Sequence, residues 1–164
     1  RFTSSRELFM RKYALALGDL NGNGQLDAIL MDFEHGEMGG ELMMECGEMS
    51  GEIWFNDGRG NFAKGSQSIG KGMTQTVFII DLDNDGDLDL FLGGDTSIRV
   101  WLNDGDGNFK SGQQIKFGRY DAVAAGDVNA DGIPDIFVGG PDSYQVWHGN
   151  ETGTFNAGDH VPYR

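Results

Sequence analysis

The stretch Asp81-Leu82-Asp83-Asn84-Asp85-Gly86-Asp87-Leu88-Asp89 sets five carboxylates at alternate positions. Their mutual repulsion makes a compact loop costly unless a cation neutralises it. Side-chain oxygens from positions one, three, five and nine, with a backbone carbonyl from position seven, suit a hard cation such as calcium. Gly86 at position six permits the sharp turn. The loop runs straight into Leu90-Phe91-Leu92, and position twelve is Leu92 rather than the glutamate, preceded by a helix, that an EF-hand requires. The spacing therefore predicts a metal-stapled turn between two strands.

Two other stretches repeat the pattern. Asp19-Leu20-Asn21-Gly22-Asn23-Gly24-Gln25-Leu26-Asp27 precedes the first loop, and Asp127-Val128-Asn129-Ala130-Asp131-Gly132-Ile133-Pro134-Asp135 follows it. Each is preceded by small and apolar residues (13–18, 77–80, 122–126) and followed by an apolar run (28–31, 90–93, 136–139), which reads as a short strand on either side. A third strand is centred on tryptophan each time, at Trp54, Trp101 and Trp147. Turn residues and an aromatic come next, ending at Phe62, Phe109 and Phe155; Asn-Asp-Gly between apolar runs is hairpin chemistry. The polar segments after these phenylalanines predict a fourth, outer strand. Loop starts at 19, 81 and 127 are 62 and then 46 residues apart, the excess marking an insertion, 33–50, in the first repeat.

That period predicts an all-β chain of three four-stranded β-propeller-type blades, each with its Asp-rich loop between its first two strands. The order of strand, Asp-x-Asp/Asn-x-Asp/Asn-Gly-x-x-Asp loop, apolar strand, Trp strand and Asn-Asp-Gly-x-Gly-x-Phe turn resembles the FG-GAP or VCBS repeat family, which includes the calcium-binding blades of integrin α subunits. The resemblance spans nearly the whole chain. It implies calcium at the loops and ligand-binding or adhesive roles. Such propellers close with more than three blades, so an incomplete or oligomer-completed ring is expected. As one repeat domain over 1–164, the chain divides into 1–12 as the outer strand of a preceding unit, 13–75 as repeat one, 76–120 as repeat two and 121–164 as repeat three.

Ranked by charge, the three ligand sets are unequal. Asp81, Asp83, Asp85 and Asp89 give the middle loop four carboxylates, with the Asp87 carbonyl. Loop three offers Asp127, Asp131 and Asp135 with Asn129 and the Ile133 carbonyl. Loop one offers Asp19 and Asp27 with Asn21, Asn23 and the Gln25 carbonyl, and is expected to bind weakest. The alternative is a set of Asn/Asp/Gly turns with no metal.

Composition narrows the partners. The 164 residues carry a net charge of −14, from 26 Asp plus Glu against 12 Lys plus Arg, which argues against a nucleic-acid backbone. No apolar run approaches the 18 residues of a membrane-spanning helix. A single cysteine, Cys46, permits no intrachain disulfide. Calcium loops of modest affinity suit a secreted, cell-surface or periplasmic setting, and the chain, which begins at Arg1, reads as a mature product or a cut fragment.

The insertion holds Met38, Met43, Met44 and Met49 with His35, Cys46 and five glutamates. Soft donors make a copper(I) site conceivable, but packing of an amphipathic turn is the stronger reading. The tryptophans could stack on sugars, though their repeated position favours blade packing. His148 and His160 have no partner evident in sequence, and no catalytic motif is visible. The expectation is a calcium-stabilised extracellular binding or adhesion module for a protein or glycan ligand, without catalysis. Its rivals are a structural subunit that self-associates through open blade edges into rings or filaments, and an accessory domain of a polysaccharide-processing enzyme.

Overall fold

The computed structural model describes residues 12–33, 49–70, 74, 76–94 and 96–163, and among these it contains twelve strands and no helix. The first sheet comprises β1 (Lys12–Gly18), β2 (Asp27–Phe33), β3 (Met49–Asn56) and β4 (Phe62–Ile69). The second comprises β5 (Thr76–Ile80), β6 (Asp89–Gly93), β7 (Ser97–Asn103) and β8 (Phe109–Lys116). The third comprises β9 (Ala122–Gly126), β10 (Asp135–Gly139), β11 (Ser143–His148) and β12 (Asn156–Pro162). Each is a four-stranded antiparallel meander in chain order, as expected for a propeller-type blade, and the three sheets do not close on themselves. The cluster of soft donors from His35 to Cys46 lies outside the described residues, while Phe33, Met49 and Ser50 belong to β2 and β3.

Registers agree from blade to blade. Each first strand meets its second through the last residue of the Asp-rich loop: Gly18 faces Asp27, Ile80 faces Asp89 and Gly126 faces Asp135. Each third strand pairs with its fourth through a register shift beside its tryptophan, at Glu52/Trp54, Arg99/Trp101 and Gln145/Trp147. An extra residue in one strand bends it and re-aims side chains. The last bulged residue is Gln67 in β4 and Gln113 in β8, and both glutamines reach the next blade. Gln67 bonds the backbone of Phe109, accepting from its N–H at 2.8 Å and donating to its carbonyl. Gln113 does the same to Phe155, accepting at 2.6 Å and donating at 3.0 Å.

Apolar side chains fill the spaces between blades. The first core joins Leu20, Ile29, Met31, Ile53 and Ile69 of blade one to Leu90, Leu92 and Phe109 of blade two, with Trp101 packed against it. The second joins Leu82, Phe91, Ile98, Val100 and Ile115 of blade two to Ile136, Val138 and Phe155 of blade three, with Trp147 alongside. Trp101 and Trp147 are thus partly buried residues packed against the inter-blade cores, in line with the packing reading. Volume is exchanged across paired strands. Blade two sets Gly93 opposite Ile98, whereas blade one sets Met31 opposite Gly51, where an added Cβ would lie 2.9 Å from the Met31 sulfur.

Gln113→Ala removes both hydrogen bonds to Phe155 and leaves two backbone groups to find water, so it should lower unfolding stability by about 1–3 kcal/mol. Lys110→Ala, an exposed change on the same strand, should stay within about 0.5 kcal/mol. Urea unfolding of the two variants measures the difference.

Candidate metal centre

In every loop, position nine does something the sequence did not disclose. Asp27, Asp89 and Asp135 are fully buried. Each uses one oxygen to accept the N–H of loop position two, Leu20 at 3.1 Å, Leu82 at 2.8 Å and Val128 at 3.1 Å. The other oxygen accepts the N–H that ends the tryptophan strand, Asn56 at 2.7 Å, Asn103 at 2.8 Å and Gly149 at 3.0 Å. This carboxylate pins the start of the loop to the third strand. The asparagines at that strand end add further bonds: Asn56 donates to the Leu26 carbonyl and Asn103 to the Leu88 carbonyl, and Asn103 also crosses to the Leu20 carbonyl of blade one at 2.8 Å. Blade three has Gly149 there because the Pro134 carbonyl leaves no room for a Cβ.

Backbone geometry is equally regular. Position six is left-handed in each loop, at Gly24, Gly86 and Gly132, and so is position four, at Gly22, Asn84 and Ala130. Two left-handed residues curl the backbone N–H groups inward. Ala130 adopts this conformation without the glycine or asparagine that eases it.

The loops differ in where those N–H groups find acceptors. In loop one, Asp19 accepts from Asn23 and Gly24, Asn21 from Asn23, and Asn23 from Gln25. In loop three, Asp127 accepts from Asp131 and Gly132, Asn129 from Asp131, and Asp131 from Ile133, while the Asn129 amide donates to Asp131 at 2.8 Å. Oxygens of both loops are occupied by their own backbone. Asp131 is accordingly held below the usual carboxylate range, first by the Ile133 N–H and then by the Asn129 amide.

Loop two is different. Asp81 uses one oxygen for the Gly86 N–H and Asp85 accepts from Asp87, yet Asp81 Oδ1 and Asp83 Oδ1 are buried with no hydrogen-bond partner. Burial, followed by the charge of Asp85, pushes the Asp83 carboxyl up. Burial also raises Asp89 to about 6 against the lowering effect of the Asn103 and Leu82 N–H groups. One ligand atom from each of Asp81, Asp83 and Asp89 falls within 4.8 Å of the others, the one such group of His, Cys, Asp or Glu among the described residues. Orphaned, mutually repelling oxygens converging on one point fit a cation. Asp81, Asp83 and Asp89 would hold it, and it would supply charge neutralisation. Asp85, also expected as a ligand, is outside this group and caps the Asp87 N–H.

Position-seven side chains lean on the neighbouring hairpin. A Cβ on Gly105 would lie 2.6 Å from Asp87 Oδ2, and one on Gly58 would lie 3.1 Å from the Gln25 amide. The half-buried Asp87 carboxyl is raised by desolvation and then by Asp85, Asp81, Asp104 and Asp106. Asp104 itself is lowered by the Asp106 N–H and the Asn108 amide, so it is internally satisfied. The two histidines without a partner evident in sequence have neighbours in the fold: His160 Nε2 lies 3.0 Å from Ser143 Oγ, and His148 Nδ1 lies 3.4 Å from Asp135 Oδ1 without a hydrogen bond.

These environments predict opposite signs with and without metal. Asp83→Asn relieves repulsion in the metal-free fold, so in excess chelator it should melt at or above the parent temperature. In calcium it should melt below the parent, because a ligand is gone. A turn that holds no metal would shift equally in both conditions. The pH dependence follows from Asp89. Its folded pKa lies above its unfolded value, so its contribution to metal-free stability is greatest below about pH 4 and is lost as pH rises to about 6. A cation requires the ionised form, so metal affinity should fall, and proton release on binding should grow, as pH drops below about 6. Calorimetric titration in buffers of different ionisation enthalpy measures both.

Comparison with curated proteins returned no match. A family model described as FG-GAP-like repeat matches residues 81–138, which run from the first aspartate of loop two through β10. That segment contains the converging carboxylates, the Trp101 strand, the Asn-Asp-Gly hairpin, the Gln113 latch and all of loop three. Residues 81–138 are thus similar to the FG-GAP-like repeat family.

Proposed function

We propose that this chain is a calcium-stabilised binding module of β-propeller-type blades, acting outside the cytoplasm on a protein or glycan ligand and without catalysis of its own. The observation that carries the metal part is the pair of partnerless buried oxygens, Asp81 Oδ1 and Asp83 Oδ1, beside the buried Asp89. Leaving such groups unsatisfied is expensive, and a cation bound to the fold removes that cost. A cage built from protein oxygens suits calcium better than magnesium, which keeps its waters. The ion would sit between the first two strands of the central blade, where it fixes loop two against a hairpin that is itself bonded to blade one through Asn103. A binding surface built on such an end is held rigid by its scaffold, as specific recognition requires.

Loops one and three support weaker binding, since their side-chain oxygens already cap the loop N–H groups. The millimolar calcium outside cells is the condition under which such sites fill. A ligand held only by the folded state stabilises it by mass action, by about 2.7 kcal/mol at a hundredfold excess over Kd. The melting temperature should therefore rise in calcium, fall in chelator, and respond much less to magnesium. Equal melting temperatures in excess calcium and excess chelator would sink the proposal.

A further inference from the structure

Position five of the Asp-rich loop is an aspartate followed by glycine in two blades, Asp85-Gly86 and Asp131-Gly132, and an asparagine followed by glycine in the other, Asn23-Gly24. Of the ten asparagines in the chain, the two that precede glycine, Asn21 and Asn23, both lie in loop one. In such a pair the backbone nitrogen of the glycine can approach the side-chain amide carbon before it, because no Cβ obstructs the approach. Asn23 and Gly24 are exposed, and a Cβ on Gly24 would have no atom within 4 Å, so water reaches the site freely.

The fold treats the two asparagines differently. Asn23 Oδ1 accepts the Gln25 N–H at 2.8 Å, which draws electron density away from the amide carbon. The Gly24 N–H donates to Asp19 Oδ2 at 2.7 Å, and this charged acceptor makes the attacking nitrogen richer in electrons. Electrophile and nucleophile are therefore polarised in opposite senses by one loop. Asn21 has a weaker version: its Oδ1 accepts the Asn23 N–H at 3.2 Å, and the Gly22 N–H meets no carboxylate among the described residues. Blade three shows that a carboxylate is well received at position five. Asp131 accepts the Ile133 N–H at 2.9 Å and the Asn129 amide at 2.8 Å, and these two donors favour its ionised form.

We propose that Asn23-Gly24 is a self-modification site at which the folded chain turns Asn23 into an aspartate. The Gly24 nitrogen bonds to Asn23 Cγ and closes a cyclic imide, while the Cγ–Nδ2 bond breaks. The Gly24 amide proton passes through solvent to the departing nitrogen, which leaves as ammonia. Water then adds at Cγ and breaks the new Cγ–N bond, so the original peptide is restored and a carboxylate remains. The balance is asparagine and water giving aspartate and ammonia, with no oxidant or reductant. Loop one then has the donor set of loop three: Asp19 and Asp27 correspond to Asp127 and Asp135, Asn21 to Asn129, and the new carboxylate to Asp131. On the calcium reading, on which this consequence alone rests, the loop expected to bind weakest gains a charged ligand after synthesis.

The test is incubation of the full chain in mildly alkaline buffer with chelator, folded and in urea, followed by peptide mass spectrometry. In urea Asn21 and Asn23 should convert at similar rates. In the folded chain Asn23 should convert about tenfold or more faster than Asn21. Asp19→Asn keeps an acceptor oxygen and removes its charge, so it should slow Asn23 in the fold and leave its rate in urea unchanged. A folded chain in which Asn23 gains no mass, or gains it no faster than Asn21, overturns the inference. Isoaspartate as the main product, from opening at the main-chain carbonyl and detected by fragmentation of the peptide, overturns it as well. The consequence for calcium has its own readout: Asn23→Asp should tighten the weakest site about tenfold in a calcium titration. An unchanged titration while Asn23 still converts counts against the calcium reading of loop one and leaves the modification standing.

Discussion

Three buried aspartates, one per blade, hold the architecture together. Asp27, Asp89 and Asp135 lie where loop, second strand and third strand meet, and each spends both oxygens on backbone N–H groups that have no partner in the sheet ladder. A backbone donor stranded in a fully buried site costs as much as a lost hydrogen bond, and an unpaired carboxylate there costs more. Each solves the other's problem. The left-handed residues at positions four and six follow from the same constraint, since the loop must curl back on itself before this aspartate can reach position two. Each loop completes a sheet corner, and in loop two a group of converging carboxylates is superimposed on that corner.

The superposition succeeds to different degrees. Loops one and three have asparagine at position three, and their remaining oxygens face N–H groups of the loop itself. Loop two has Asp83 there and carries more carboxylates than either neighbour: repulsion with Asp85 and Asp81 is added to burial, and oxygens of Asp81 and Asp83 are left without a donor. A neutral asparagine leaves the loop oxygens capped by their own backbone, whereas the aspartate leaves repulsion and an orphaned oxygen that a cation would relieve. The ranking by carboxylate number expected affinity to fall from loop two to loop three to loop one, and the fold sets loop two apart by its orphaned oxygens. Which oxygens would be orphaned depends on hydrogen bonds that the spacing alone does not specify.

Much of the fold was legible because the repeat displays its own punctuation. Alternating carboxylates, apolar runs, a central tryptophan and Asn-Asp-Gly turns each constrain local backbone and recur in one order, so strands and hairpins followed directly from sequence. What was not legible depends on residues far apart in the chain. Asp89 reads only as a ligand in sequence, and the fold adds that Leu82 and Asn103 donate their N–H groups to its oxygens. Gln67 and Gln113 read as ordinary polar residues of an outer strand, 42 positions from the phenylalanines they bind, and only the bulge beside the tryptophan turns them toward the next blade. The exchange of Met31 and Gly51 for Gly93 and Ile98 looks like divergence in sequence and becomes conservation of volume once the strands are paired.

How much of a blade is buried depends on how many of its faces meet a neighbour. Blade two meets a neighbour on both faces, and its second strand, from Asp89 to Gly93, is buried throughout. The same strand in blade three alternates buried with exposed at Phe137, where an aromatic row stands in for a neighbour. Solenoids and arrays commonly solve this with end units whose outer face is polar. Here the outward faces of blades one and three keep apolar residues at Leu26, Phe62, Val128 and Phe137. Capping would have replaced Leu26, Phe62, Val128 and Phe137 with polar residues. The outward faces of blades one and three thus keep the apolar pattern that packs blade against blade within the chain.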